Sequence, residues 1–216
     1  MILVIAATHD ELRGADGAAT LICGVGPVEA AARTAGLRAA VHGPAWRDRA
    51  DYQERSGDSG DYLANAIASG VPAARIRALF ATSRGLERRA VDPGSGLDSA
   101  AAWAVRPFPR PALFPEVRRA LHRLLARQGR FGIDPSEDWP GADPWTAPTA
   151  WAAWSLAALG ERRQALRLLA DLRRAATPAG LLPERVDART GIPRSTTPLA
   201  WSHAFVILAL RRLWPS

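Results

Sequence analysis

The spacing of apolar residues changes at about residue 60, from short continuous runs to a helical period. Residues 2–8 and 20–23 are short apolar runs of the kind that forms buried strands, and residues 28–40 are alanine-rich and helical in pattern. Further along, helices are predicted over residues 62–69, 73–86, 97–105, 115–128, 149–159, 161–176 and 198–214. The pattern therefore predicts a mainly α protein with a short N-terminal βα unit.

Composition suggests where this chain divides. Residues 42–60 are polar and contain Pro44, Gly57 and Gly60, which is typical of a linker. We therefore expect a β-β-α fragment over 1–41, a linker over 42–60 and a helical domain over 61–216. The last helix, 198–214, is apolar enough to be expected in the core, and Trp151 and Trp154 are expected there as well.

Charge and cysteine content narrow the classes of partner. All 28 basic residues are arginine, the net charge is +7, and the arginines are scattered over the predicted helix faces. We therefore expect a solvated surface and no nucleic-acid partner. The single cysteine, Cys23, gives neither an intrachain disulfide nor a metal-ligand spacing, so no metal or cofactor is expected. No secretory signal or membrane-length apolar run is visible, which favours a cytoplasmic chain without a membrane partner.

The stretch over residues 182–204, LPERVDARTGIPRSTTPLAWSHA, carries the strongest chemical signal. It begins with the carboxylate of Glu184, continues through a loop rich in Gly, Pro, Ser and Thr, and ends at Trp201. A carboxylate can transfer protons and a tryptophan offers a flat apolar face, a combination that suits sugar binding. The alternative is a surface loop in which Glu184 pairs with Arg185 or Arg189.

The Glu, the loop of this length and the closing L-x-W-S-x-A resemble the last catalytic segment of glycoside hydrolase family 15, the glucoamylases and glucodextranases. The resemblance implies that Glu184 is the general base and that Trp201 is the closing tryptophan of the site. His203 stands where some members carry Tyr. Arg185, beside Glu184, is expected to favour the ionised form of that carboxylate.

A second loop, FGIDPSEDWPGADPW over residues 131–145, contains two tryptophans and four carboxylates, which a packed core does not need. It resembles the family 15 loop P-E-D-x-Y-x-G-G-N-P-W. The resemblance implies that Asp138 holds the terminal glucose by its hydroxyl groups and that Trp145 lines the pocket. Glu137 is also a candidate substrate-binding residue. Asp134 stands where the family pattern has an arginine.

The segment DYQERSG, residues 51–57, has a looser likeness to the D-L-W-E-E-x-x-G segment of family 15, which would make Glu54 the general acid. The family fold is an (α/α)6 barrel of twelve helices. Roughly seven helices are predicted here, so we expect a partial α-hairpin toroid, completed by a second copy or another chain. The implied function is inverting, exo-acting hydrolysis of α-glucans that releases glucose from non-reducing ends.

The N-terminal sequence ILVIAATHDEL, followed by GVGPVEAAA, resembles the start of the nucleosidases and futalosine hydrolases. In that superfamily an acid just after the first strand assists departure of the purine, and Glu11 matches its position. A nucleoside hydrolase and a non-catalytic helical domain therefore remain alternatives. A glucosidase requires Glu184, Asp138, Trp145 and Trp201 to meet at one site, whereas a nucleosidase requires a pocket around Glu11 and residues 24–26.

Overall fold

The computed structural model describes residues 3–6, 19–22, 52–53, 62–141 and 143–215. The chain divides into two compact units, Met1–Val41 and His42–Ser216, which are described separately below. The predicted helix over 28–40 and all of the predicted linker except Tyr52 and Gln53 lie outside the described residues.

Two short strands pair in the N-terminal unit. Strand β1 (Leu3–Ala6) runs parallel to β2 (Ala19–Ile22), with Leu3 opposite Ala19 and Ala6 opposite Ile22. Parallel strands need a crossover connection rather than a tight turn, and residues 7–18 join these two. Both predicted strands are confirmed: β1 is shorter than the run predicted over 2–8, and β2 is shifted by one residue from 20–23.

The second unit is mainly helical, as predicted. Its described α-helices are α1 (Leu63–Ala68), α2 (Ala73–Phe80), α3 (Phe114–Ala126), α4 (Thr146–Ala158), α5 (Arg162–Ala175) and α6 (Ala200–Leu213). None of the described helices is long and apolar enough to cross a membrane. The partial toroid stays a prediction.

The helix predicted over 73–86 is too long, because α2 ends at Phe80. The chain then forms a small antiparallel hairpin of β3 (Ala81–Thr82) and β4 (Gly85–Leu86). Gly85 has a φ of 144°, and a Cβ there would lie 2.7 Å from the backbone N of Ala120. Only glycine allows this conformation and this close approach to α3, so the hairpin overrides the helical pattern.

A 3-10 helix, Ser99–Ala104, replaces the α-helix predicted over 97–105, and a second one covers Pro111–Leu113. The Asp98 carboxylate accepts a hydrogen bond from the backbone N–H of Ala100 at 2.9 Å and so caps the first of them.

Helix α4 lies at the centre of the core, because it is apolar on almost every side and packs against α5, α6 and the 3-10 helix Ser99–Ala104. The Trp151 ring stacks on Trp103 with 4.5 Å between ring centroids and meets Phe205 at 4.2 Å. The expected core position of Trp151 is confirmed, and Trp154 is half-buried against the same cluster. Helices α3 and α5 each bury one apolar side and expose most of their arginines.

The expectation that the last helix is buried is wrong for one side of α6. Phe205, Ala209 and Leu213 pack into the core, whereas Ile207 and Trp214 are each 53% exposed. The helix is apolar on two faces, and the pattern alone could not show that only one of them packs against the described part of the chain.

Candidate active site

The loop between α5 and α6 is held in place by backbone hydrogen bonds at Glu184. The N–H of Glu184 donates to the carbonyl of Thr196 at 2.8 Å, and the carbonyl of Glu184 accepts from the N–H of Thr146 at 2.9 Å. Farther out, the N–H of Arg194 donates to the carbonyl of Arg185 at 3.0 Å, which closes the loop into a hairpin. Glu184 is therefore fixed between this hairpin and the start of α4.

The far end of this hairpin turns at Asp187. Its carboxylate accepts hydrogen bonds from the N–H and the hydroxyl of Thr190, both at 2.9 Å, and from the N–H of Arg189 at 3.0 Å. These bonds, led by the one from the Thr190 backbone, hold the pKa of Asp187 well below its ordinary value. The turn is thus built by its own side chains.

The Glu184 side chain is half-buried, and its Oε2 accepts a hydrogen bond from the hydroxyl of Ser195. Arg185, which was expected to act on this carboxylate, does not pair with it. The Arg185 guanidinium instead pairs with the buried carboxylate of Asp143 at 2.9 Å. The alternative of a plain surface loop predicts that Glu184 pairs with Arg185 or Arg189. Among the described residues Glu184 forms no ion pair, and the neutral hydroxyl of Ser195 contacts its carboxylate.

The two predicted aromatic residues of the site stand at the starts of α4 and α6. Trp145 immediately precedes α4 and forms an antiparallel bridge with Arg185, and its ring meets that of Trp139 edge-on at 5.0 Å. Trp201 is in the first turn of α6. The indole N–H groups of Trp145 and Trp201 are buried and make no hydrogen bond within the described part of the chain.

Two buried hydroxyl groups join the starts of α4 and α6. The side chains of Thr146 and Ser202 are 2.6 Å apart, and Thr146 also donates to the carbonyl of Pro183. His203, one residue farther along α6, accepts a hydrogen bond at Nε2 from the N–H of Leu182 at 3.0 Å. This small network therefore ties together the chain segments that carry Glu184, Trp145 and Trp201.

The second predicted loop separates its two candidate carboxylates. Glu137 is only 8% exposed; it pairs with Arg84 and accepts a hydrogen bond from the N–H of Leu97 at 3.0 Å. The Asp138 side chain is 26% exposed, and its Oδ1 accepts from the Ser136 hydroxyl at 2.6 Å. Asp138 is thus the better placed of the two for contact with a ligand, while Glu137 ties the loop to its surroundings.

Asp134, at the start of the same loop, reaches solvent but has protein around much of its carboxyl group. Partial burial raises its pKa, and the nearby negative charge of Asp143 raises it further, against a smaller opposite effect from Arg127. The position where the resemblance predicts a cation therefore carries an acid that binds its proton more readily than usual.

Tyr52 and Gln53 anchor the segment before Glu54 to this loop. The Tyr52 hydroxyl lies 3.0 Å from Asp98 Oδ1, 2.8 Å from Ser99 Oγ and 3.0 Å from the carbonyl of Pro135. The Ser136 hydroxyl is within 3.1 Å of Gln53 Oε1 and also contacts Asp138. Glu54 itself lies outside the described residues, as do Glu11 and residues 24–26.

The sequence pattern did not indicate three residues of the candidate site: Ser195, Tyr52 and Arg88. Arg88 pairs with Asp138 at 3.3 Å and is fully buried. In the sequence it stands beside Arg89 in a chain with many exposed arginines, so nothing marks it as buried. No group of three or more His, Cys, Asp or Glu residues that could hold a metal ion occurs among the residues that the structure describes.

Comparison with known proteins identifies a fold for this chain but assigns it to no family. The sequence matches no protein-family model and no curated protein. A solved wild-type glycosidase matches at 22% identity and a TM-score of 0.64, over 77% of this chain and 55% of its own. A glycosidase in complex with glucose matches at 21% identity and a TM-score of 0.65, over 77% and 55%.

The chain has a glycosidase fold. At this identity the likeness concerns the fold alone, and the chain spans about half the length of the glycosidases it matches. The resemblance to glycosidases is thus confirmed at that level, and membership in family 15 stays a prediction.

Proposed function

We propose that the helical unit is a sugar-binding and catalytic unit of an inverting, exo-acting α-glucosidase that releases glucose from the non-reducing ends of α-glucans. The observation that supports the proposal is a buried hydrogen-bond network of Thr146 and Ser202, which ties together the chain segments that carry Glu184, Trp145 and Trp201. The fold is shared with glycosidases, one of which was solved in complex with glucose. The chain covers only about half the length of those glycosidases, so the activity stated here is a proposal for this chain.

In this proposal Glu184 is the general base. An inverting enzyme uses one carboxylate to activate a water molecule, while an acid on the opposite side of the sugar protonates the leaving oxygen; the two stand roughly 6.5–9.5 Å apart. The half-buried Glu184, with its backbone fixed at both ends and its Oε2 held by Ser195, has the fixed orientation that a base needs. It takes a proton from water as the oxygen attacks the anomeric carbon.

Glu54 is the proposed general acid. Support comes from its described neighbours, since Tyr52 and Gln53 bind the loop that carries Asp138. The proposal assigns Glu54 to the side of the leaving oxygen. The acid gives its proton to the departing oxygen and recovers it in the next turnover.

The remaining candidates are proposed to hold the sugar. Asp138, a hydrogen-bond acceptor with part of its surface in solvent, can accept bonds from sugar hydroxyl groups. Trp145 and Trp201 can cover the apolar faces of the ring. Glu137, with its oxygens engaged by protein donors, contributes by fixing the loop. No cofactor enters this scheme, and we propose a cytoplasmic α-glucan as the substrate.

The proposal is tested by measuring glucose release from maltose and maltooligosaccharides by the purified chain and by its Glu184→Gln variant. We expect a loss of at least 100-fold in kcat on the ~10²–10⁴-fold scale of acid–base catalysis. Glu161→Gln is a matched control, because Glu161, at the start of α5, pairs with Arg118 and His122 of α3. Equal activity of the two variants would contradict the role of Glu184.

A further inference from the structure

Arg88 is the one charged side chain among the largest fully buried residues of the described chain. Its backbone is fixed on both sides: its carbonyl accepts from the N–H of Leu63 at 2.9 Å, and its N–H donates to the carbonyl of Gly96 at 2.8 Å. Its side chain therefore starts from a rigid position between α1 and the turn at Gly96.

The guanidinium of Arg88 lies between an aromatic ring and a carboxylate. Its central carbon is 5.0 Å from the centroid of the Tyr62 ring, and Nη1 is 3.3 Å from Oδ2 of Asp138. A planar guanidinium against a ring is held in one orientation, which a lysine ammonium does not reproduce. The direction in which Arg88 offers its N–H groups to Asp138 is thus fixed.

Burial of this charge needs a reason other than stability. Removing an arginine from water is costly, and well-packed apolar side chains in place of a buried ion pair are often as stable or more stable. Here the pair is also asymmetric, because Arg88 is fully buried while the Asp138 side chain is 26% exposed. The cation is on the protein side, and the carboxylate faces outward.

The contacts of Asp138 define how its carboxylate is presented. Oδ2 is paired with Arg88, and Oδ1 accepts from the Ser136 hydroxyl at 2.6 Å. Each carboxylate oxygen has two acceptor positions, so a carboxylate held at both oxygens can still accept hydrogen bonds from a ligand on its exposed side. Rotation of the group is prevented by the two protein donors.

We infer that Arg88 is a positioning residue: from beneath the site it holds the Asp138 carboxylate in a single orientation, so that Asp138 accepts hydrogen bonds from hydroxyl groups of the sugar. This inference rests on the proposed function, in that Asp138 is taken to contact the substrate. The inference also predicts substrate specificity. Arg88 does not raise the affinity for a sugar that lacks the hydroxyl group from which Asp138 accepts a hydrogen bond.

The test compares Arg88→Met, Arg88→Lys and Asp138→Asn, with Arg77→Met as control. Arg77 forms an ion pair with Glu116 at 2.9 Å and belongs to α2. For each protein, KM and kcat for maltose, the Kd for glucose by calorimetric titration and the thermal midpoint are measured. We expect Arg88→Met to raise KM and Kd about tenfold or more, with a smaller change in kcat, because a hydrogen bond to a charged group is lost. Arg88→Lys should recover part of the affinity.

A double-mutant comparison of Arg88 and Asp138 distinguishes a positioning role of Arg88 from a purely structural one. Since Arg88 acts through Asp138, adding Arg88→Lys to Asp138→Asn should leave the Kd for glucose within about twofold of Asp138→Asn alone. This comparison remains decisive if Arg88→Met does not fold. Independent, multiplicative losses, or Arg88 variants that lower only the thermal midpoint as Arg77→Met does, would overturn the inference.

Failure of the proposed function is distinguishable from failure of this inference. If the wild-type chain binds glucose in an Arg88-dependent way but cleaves no glucan, the inference stands and the hydrolase proposal falls. If it cleaves maltose and the Arg88 variants keep the wild-type KM and Kd, the inference falls alone. A folded wild-type chain that neither binds nor cleaves would overturn both.

Discussion

Thr146 is the residue at which a single methyl-for-hydroxyl exchange tests the network around Glu184. Its hydroxyl is fully buried, lies 2.6 Å from that of Ser202 and donates to the carbonyl of Pro183. Thr146→Val keeps the shape and the backbone N–H that binds Glu184 but leaves both partners unpaired. A buried polar group without a partner costs about 1–3 kcal/mol, so we expect a loss of roughly 2–4 kcal/mol.

In a unit of this size such a loss lowers the thermal midpoint by about 5–15 °C, which differential scanning calorimetry measures directly. Thr177→Val is the control, because its hydroxyl only accepts from the N–H of Leu181 in an exposed turn, and such surface changes stay within about 0.5 kcal/mol. Adding Ser202→Ala to Thr146→Val should cost less than the sum of the single changes by about 1 kcal/mol. Additive losses, or an unchanged midpoint in Thr146→Val, would refute the network.

Three further changes test other parts of the structure. Ser195→Ala removes a donor to the Glu184 carboxylate and should lower kcat about 10- to 100-fold with little change in KM. Steady-state kinetics measure both constants, and an unchanged kcat would contradict the role of Ser195. Burial raises the pKa of Glu87, so the folded protein keeps a proton that the unfolded chain releases, and stability falls as pH rises above about 4.5. Glu87→Gln should make the thermal midpoint fall less between pH 4 and 8. An unaltered pH dependence would contradict the raised pKa. Tyr52→Phe should lower the free energy of unfolding in denaturant by about 1–3 kcal/mol, since the contacts of its hydroxyl with Asp98, Ser99 and Pro135 disappear; a wild-type midpoint would contradict the role of Tyr52 as an anchor.

The elements that could be predicted from the sequence are those whose burial follows from local spacing. Helices α3 and α5 were within two residues of their predicted bounds, because one apolar side alternates with arginines at a helical period. The hairpin after Phe80 could not be foreseen in this way. It depends on Gly85 fitting against Ala120, a contact between positions far apart in sequence.

The candidate site shows the same division. Glu184 and Trp145 could be proposed from their loops, but the partner of each charged group could not. Arg185 is adjacent to Glu184 and yet binds Asp143, 42 positions away, while Glu184 is contacted by Ser195. Burial of Arg88 could not be predicted either, because the basic residues are all arginine and those that the structure describes are mostly exposed. Burial depends on which segments pack around a residue.

The central claim is tested most directly by recording the proton NMR spectrum of the first sugar released from maltotetraose by the purified chain. Inverting, exo-acting cleavage of an α-glucan predicts that β-glucose appears first and converts slowly to the α-anomer. α-Glucose as the first product would contradict the inverting mechanism and the base role of Glu184. Release of no glucose from folded protein would contradict the account of this chain as a glucosidase.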